Sequence, residues 1–210
     1  MGGNSCTLAV MTLAEPTALL NSSAGRIPRL FLVTDDHRLP DPVPAIRRLP
    51  VGSGVIFRHY DDPQRCNLAQ QVARLCRQQR LCLLVANDWR LAARIGADGI
   101  YLAEGLARSG RISPCRLWLK RRGGILGMAA HSPLAVAWAK TMMADFCVLS
   151  QVFASGSHPG RSGIGPMRFA LWARRHDSAV VALGGLNRQS WRRIPPGCAH
   201  GWAAISGLSR

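Results

Sequence analysis

Several residues able to do ionic or proton-transfer chemistry stand directly behind short apolar runs. Arg58 closes "GVIF", Asn87 and Asp88 follow "CLLVA", Glu104 comes shortly after "GIYL", and His131 follows "ILGMA". A guanidinium at the end of an apolar run is costly to bury without a partner, so Arg58 reads as a ligand for an anion. Asp88 is also placed to cap the helical stretch that follows it. Two further runs end in "LGGL" (Gly184, Gly185) and "AISGL" (Ile205, Ser206), where backbone N–H groups are unobstructed by side chains and a hydroxyl is at hand. Such loops can cradle an anion, or their glycines can simply permit tight turns. The Gly-, Ser- and Pro-rich stretch "QVFASGSHPGRSGIGP" (151–166) has the composition of a linker, a surface loop or an anion-wrapping loop.

The elements that must position these residues follow from the pattern of apolar runs. Eight of them, each four or five residues long, read as strands over 30–34, 54–58, 82–86, 99–102, 125–129, 146–149, 180–183 and 201–204. They are apolar throughout rather than alternating, as expected of strands covered on both faces. Helical spacing fills the intervals. Over 67–79, Leu68, Val72, Leu75 and Cys76 share one side; 88–95 starts at Asp88; and 132–143 has Ser132 as N-cap with Pro133 at the first helical position. Strands alternating with helices predict an α/β fold, a parallel eight-stranded TIM (β/α)8 barrel over 26–210. An open doubly wound sheet is the alternative. Only six residues follow the last run, so the eighth helix is short or absent, and residues 1–25 form an N-terminal extension or helix available to cover that flank.

In such a barrel function gathers at the carboxyl ends of the strands, and loops 7 and 8 commonly hold a phosphate. The residues there are strongly polar although chosen by position alone, which favours an active site over an inert scaffold. The phosphate reading of Gly184, Gly185, Ile205 and Ser206 then gains over the tight-turn one.

Composition bounds the partners. Hydrophobic content of 48% and charged content of 18% describe a folded globular chain, and no apolar run approaches the ~20 residues that span a bilayer. The formal charge of +16 invites a nucleic-acid reading. However, the basic residues are arginines except for Lys120 and Lys140, and they are scattered along the chain, which argues against one binding face. A basic field still attracts anionic small molecules. Seven cysteines without a C-x-x-C pair, several inside apolar stretches, read as buried thiols of a cytoplasmic protein without structural zinc.

"LFLVTD", "GVIFRHYDD", "LLVANDWRLAARIGADGIYLAEG", "GMAAHSPLAVAWAKTMMADFCVLSQVFASGSHP", "VVALGGL" and "GWAAISGL" together resemble the thiamine phosphate synthase family, which includes the aminothiazole tautomerases of TenI type. The resemblance runs from about residue 28 to 208. It implies a usually homo-oligomeric barrel that joins hydroxymethylpyrimidine diphosphate to thiazole phosphate and releases pyrophosphate with Mg²⁺. Carried over, Arg58 holds diphosphate, Asn87 touches it or the pyrimidine, and Asp88 binds Mg²⁺. Ser155, Ser157 and His158 lie near the phosphates, and Gly184, Gly185, Ile205 and Ser206 hold the thiazole phosphate. The pattern departs at Ile56, where the synthases have Gln, and at Tyr60, where they have Lys. Leu106 stands at the second metal carboxylate, with Glu104 two residues earlier as a substitute ligand; Ala129 replaces a Ser and His158 a Lys. These changes fall on the diphosphate and metal half of the site. They keep open the tautomerase branch, in which a thiazole phosphate binds without diphosphate or metal and His131 moves a ring proton. A structural role for His131, capping the next helix, is the other reading.

Overall fold

The computed structural model describes residues 25–108, 113–154, 162–174 and 179–208. The N-terminal extension therefore lies outside the described residues but for its last position. Eight parallel strands close into a barrel in sequence order, with β1 (Leu30–Val33) hydrogen-bonded to both β2 (Gly54–Phe57) and β8 (Gly201–Ala204). Between them run β3 (Cys82–Ala86), β4 (Gly99–Leu102), β5 (Ile125–Ala130), β6 (Phe146–Ser150) and β7 (Ala179–Leu183). The unbroken apolar runs are strands covered on both faces: β1, β2, β4 and β8 are buried along their whole length, and the pairing of β1 with β8 closes the sheet.

The interior is filled by a large-against-small arrangement. Phe31 and Phe146 stack across it with ring centroids 4.9 Å apart. Each ring occupies the space a neighbour's side chain would need. A Cβ on Gly54 would lie 2.3 Å from Phe31, and one on Gly127 would lie 2.5 Å from Phe146. The glycines in these two strands are there to admit the rings.

Outside the strands lie α1 (Val43–Arg47), α2 (Arg65–Gln78), α3 (Trp89–Ile95), α4 (Glu104–Arg108), α5 (Ser113–Arg122), α6 (Pro133–Thr141), α7 (Gly165–Ala173) and α8 (Arg188–Trp191). After β8 the described residues form a 3-10 turn, Ser206–Leu208. Both expected caps form: the Asp88 side chain accepts from Leu91 N–H and the Ser132 hydroxyl from Ala135 N–H. Helix α2 starts two residues earlier than its apolar spacing suggests. Asp62 accepts from Gln64 N–H at 2.7 Å through its side chain and from Arg65 N–H through its carbonyl, forming the turn that launches the helix at Arg65. Among the described cysteines, all are free thiols and Cys76, Cys115, Cys147 and Cys198 are buried. Burial pushes the Cys76 thiol up to about 12 and Cys115 to about 11, so both stay protonated and inert near neutrality. No described helix is long and apolar enough to cross a membrane.

Candidate active site

The loops after β1 and β2 are tied together beneath Arg58. Thr34, fully buried, accepts the Arg58 backbone N–H at 2.9 Å, and its hydroxyl lies 2.9 Å from His59 Nδ1. His59 Nε2 is 3.2 Å from the Pro40 carbonyl, which can only accept. Nε2 therefore carries the hydrogen, and Thr34 donates to Nδ1. This chain of bonds fixes where the Arg58 backbone leaves its strand. The Arg58 guanidinium reaches to 3.6 Å from Asp35 Oδ2, an oxygen that Arg38 already binds at 2.8 Å. Burial alone would raise the Asp35 carboxyl. The side-chain and backbone hydrogen bonds from Arg38, with the charges of Arg38 and Arg58, outweigh burial and hold it below the ordinary carboxylate range. Arg58 thus has a counter-ion within reach but no close bidentate partner in Asp35.

Tyr60 lies beside Arg58. Its hydroxyl accepts from the Asn87 side chain at 3.2 Å, while the other end of that amide accepts Ala103 N–H at 2.8 Å. Asn87 holds a left-handed backbone (φ 59), the conformation that turns the chain off β3 so that its side chain bridges to the strand-4 loop. Desolvation raises the Tyr60 phenol although the nearby Arg58 and Arg65 charges oppose it, so the hydroxyl stays protonated. Tyr101, on β4 and buried, is raised by burial too and feels the same Arg58 charge. Two guanidiniums, two phenols and an amide therefore converge at the ends of β2, β3 and β4.

Asp88 and Glu104 are each held by a different partner. Asp88 Oδ1 caps α3 at Leu91 N–H, 2.9 Å away, and Oδ2 binds Arg65 Nη1 at 2.8 Å. Glu104 Oε2 accepts from His131 twice, from the ring Nδ1 at 2.9 Å and from the backbone N–H at 3.2 Å. Leu106 packs against the core. A magnesium ion needs carboxylate oxygens turned to one centre and not already held by a cation. The side chains as they stand do not fit that requirement. Among the described residues, the one group of three or more acidic or imidazole side chains whose ligand atoms all lie within 4.8 Å of one another is Asp36, His37 and Asp61, where Asp36 already accepts Asp61 N–H. A cleft of about 520 Å³ is lined by Asp41, Asp62, Gln64 and Asn67 among others, a lining that offers no cation to a phosphate.

His131 does not cap α6; Ser132 does. The imidazole, exposed at the mouth, is instead oriented by Glu104, the arrangement of a carboxylate-held acid–base group.

At the opposite side of the mouth, Gly184 (φ +106) and Gly185 (φ +61) sit in the left-handed region. A Cβ at Gly184 would come within 2.7 Å of Gln151, and one at Gly185 within 2.4 Å of the Ala154 carbonyl. The segment after β6 runs hard against them, with Val152 N–H bonded to Leu183 and Phe153 N–H to Gly184. Close packing of loops 6 and 7 thus already accounts for both glycines, whatever else they bind. Ser190 donates to the Gly185 carbonyl at 3.0 Å, and the Arg193 guanidinium stands 4.7 Å from the Phe153 ring. The Ile205 side chain is in the core, leaving only its backbone for a ligand, while Ser206 is exposed at the start of the last turn. Ser155, Ser157 and His158 lie outside the described residues.

Residue types and spacing did not single out Arg65 or Glu104 as partners of Asp88 and His131. The available signal was the charge arithmetic: a carboxylate at a strand end in an arginine-rich chain finds an arginine.

A family model described as thiamine monophosphate synthase matches residues 30–208. The thiamine-phosphate synthase of Bordetella pertussis is 30% identical over 157 residues, 70% of each chain. That of Alcanivorax borkumensis is 28% identical over 171 residues, 77% of this chain and 76% of the relative. The solved structure of a thiamine phosphate pyrophosphorylase from Pyrococcus furiosus superposes with a TM-score of 0.71 at 21% identity, covering 91% of this chain and 90% of the other, which shows the shared barrel.

Proposed function

The chain belongs to the thiamine monophosphate synthase family, and from that premise we propose that it joins hydroxymethylpyrimidine diphosphate to thiazole phosphate and releases pyrophosphate. The observation that carries the reading is the cluster of Arg58, Arg65, Tyr60 and Asn87 at the ends of β2 and β3. As the bond to the pyrimidine methylene breaks, negative charge grows on the departing diphosphate. Fixed guanidiniums and a protonated phenol stabilise that charge without reorganising, which is where preorganised sites gain most. Asn87 offers one amide to the leaving group or the pyrimidine, and the loops after β7 and β8 face the mouth from the other side, where the thiazole phosphate would sit. The test is direct: incubation of the purified chain with both substrates, with thiamine phosphate and pyrophosphate quantified. No product under any cation condition would remove the reading.

One observation favours a second activity at the same mouth. The Glu104–His131 pair is built like an acid–base dyad, and it suits proton movement on a thiazole phosphate ring. The chain is also proposed to act as a cytoplasmic homo-oligomer. Free thiols among the described residues support the compartment. The exposed side chains of Leu134 and Trp138 on α6 and of Met167 and Leu171 on the neighbouring α7 support the assembly.

A further inference from the structure

We infer that Arg65 takes the place of a divalent cation in this site, so that the diphosphate group binds to the chain without metal. The inference rests on the diphosphate reading above. Arg65 is the first residue of α2, and its side chain crosses from the strand-2 loop to the end of β3. It is held from several directions. Nη1 binds Asp88 Oδ2 at 2.8 Å, Nη2 donates to the Ala86 carbonyl at 3.2 Å, Nε donates to the His59 carbonyl, and the guanidinium lies 5.9 Å from the Phe57 ring centroid. The side chain is 18% exposed, so the cation is sunk into the wall of the mouth.

Three consequences follow from ordinary chemistry. A guanidinium cannot lose its proton at physiological pH, so the positive charge beside Asp88 is permanent. A divalent ion on Asp88 would have to displace it or endure it at contact distance, because Oδ1 is committed to the helix cap. Arginine also has five N–H donors in a planar fork, of which these contacts use three, leaving two for phosphate oxygens. Arg58, whose charge acts on Tyr60 together with that of Arg65, supplies a second cation. The two arginines deliver to a diphosphate the charge that a metal ion would otherwise carry. The second carboxylate that a metal would use, Glu104, is turned to His131 instead.

The test is binding of inorganic pyrophosphate to the full chain by calorimetry, in EDTA and in millimolar magnesium. Binding should be no tighter in magnesium than in EDTA, because magnesium competes for pyrophosphate in solution and adds nothing at the site. Arg65→Gln should lose about tenfold or more in EDTA, and Arg65→Lys, which keeps the charge but not the fork, should fall between. Tightening of the wild type by tenfold or more on adding magnesium would overturn the inference while leaving the diphosphate reading standing. Binding in neither buffer would defeat both. Arg65→Gln binding as tightly as wild type in EDTA would also overturn it. Should that variant not fold, the two-buffer comparison on the wild-type chain still decides.

Discussion

Asp88 is expected to serve two partners with two oxygens, and the two contributions can be separated. Asp88→Asn keeps an oxygen for the α3 cap but removes the charge from Arg65; Asp88→Ala removes both. The cap, Oδ1 to Leu91 N–H at 2.9 Å, is worth about 1 kcal/mol. The ion pair is short at 2.8 Å, with Arg65 18% and Asp88 36% exposed. Such a pair lies between a surface bridge, worth up to about 1 kcal/mol, and a buried one, whose breaking costs about 3–5 kcal/mol. Discounted for the solvent on Asp88, about 1–2 kcal/mol is expected. Asp88→Asn should therefore cost about 1–2 kcal/mol and Asp88→Ala about 2–3 kcal/mol, or about 4–12 °C in thermal midpoint for a chain of this length. A double-mutant cycle of Asp88→Asn with Arg65→Gln, read by thermal unfolding under circular dichroism, should return a coupling of about 1–2 kcal/mol. Coupling below about 0.3 kcal/mol would mean the pair is idle and Asp88 is open to a metal. Equal losses for the Asn and Ala variants would refute the cap.

Gly54→Ala puts a methyl group 2.3 Å from the Phe31 ring and should destabilise by about 1–3 kcal/mol, partly recovered by adding Phe31→Leu; a neutral urea midpoint for the single variant would contradict the packing of the barrel interior. His131→Ala should lower any ring proton transfer on thiazole phosphate by about 10²–10⁴-fold, and Glu104→Gln should lower it by a smaller factor, since it leaves an acceptor oxygen but removes the charge. Coupling to thiamine phosphate should fall less than tenfold in both, and the reverse pattern in rate assays would assign the Glu104–His131 pair to the coupling reaction instead. Trp138→Glu with Leu171→Glu should dissociate the assembly in sedimentation velocity, and a wild-type chain that is already monomeric would remove the oligomer proposal.

Much of this was legible before any fold was known. The eight apolar runs coincide with the eight strands to within a residue or so at each end, because a strand buried on both faces must be apolar at every position. Asp88 and Ser132 were identifiable as caps because capping is local, made between a side chain and an N–H three residues on. Strand-end positions alone picked out Arg58, Asn87, Glu104 and His131.

What those polar groups hold was not legible. Arg65 reaches Asp88 across 23 residues and Glu104 reaches His131 across 27, contacts that exist only because neighbouring strands lie side by side in register. Phe31 meets Phe146 only because β1 and β6 face each other through the closed barrel. Apolar periodicity records which side of an element is covered, and nothing in it records which charge will stand opposite. The strands, the local caps and the strand ends on which the chemistry sits could thus be read along the chain, whereas closure of the sheet, through the pairing of β1 with β8, came from the tertiary structure. The side-by-side packing of neighbouring parallel strands decided that Asp88 faces a guanidinium and Glu104 an imidazole, because ionic partners are chosen by distance in space rather than along the chain.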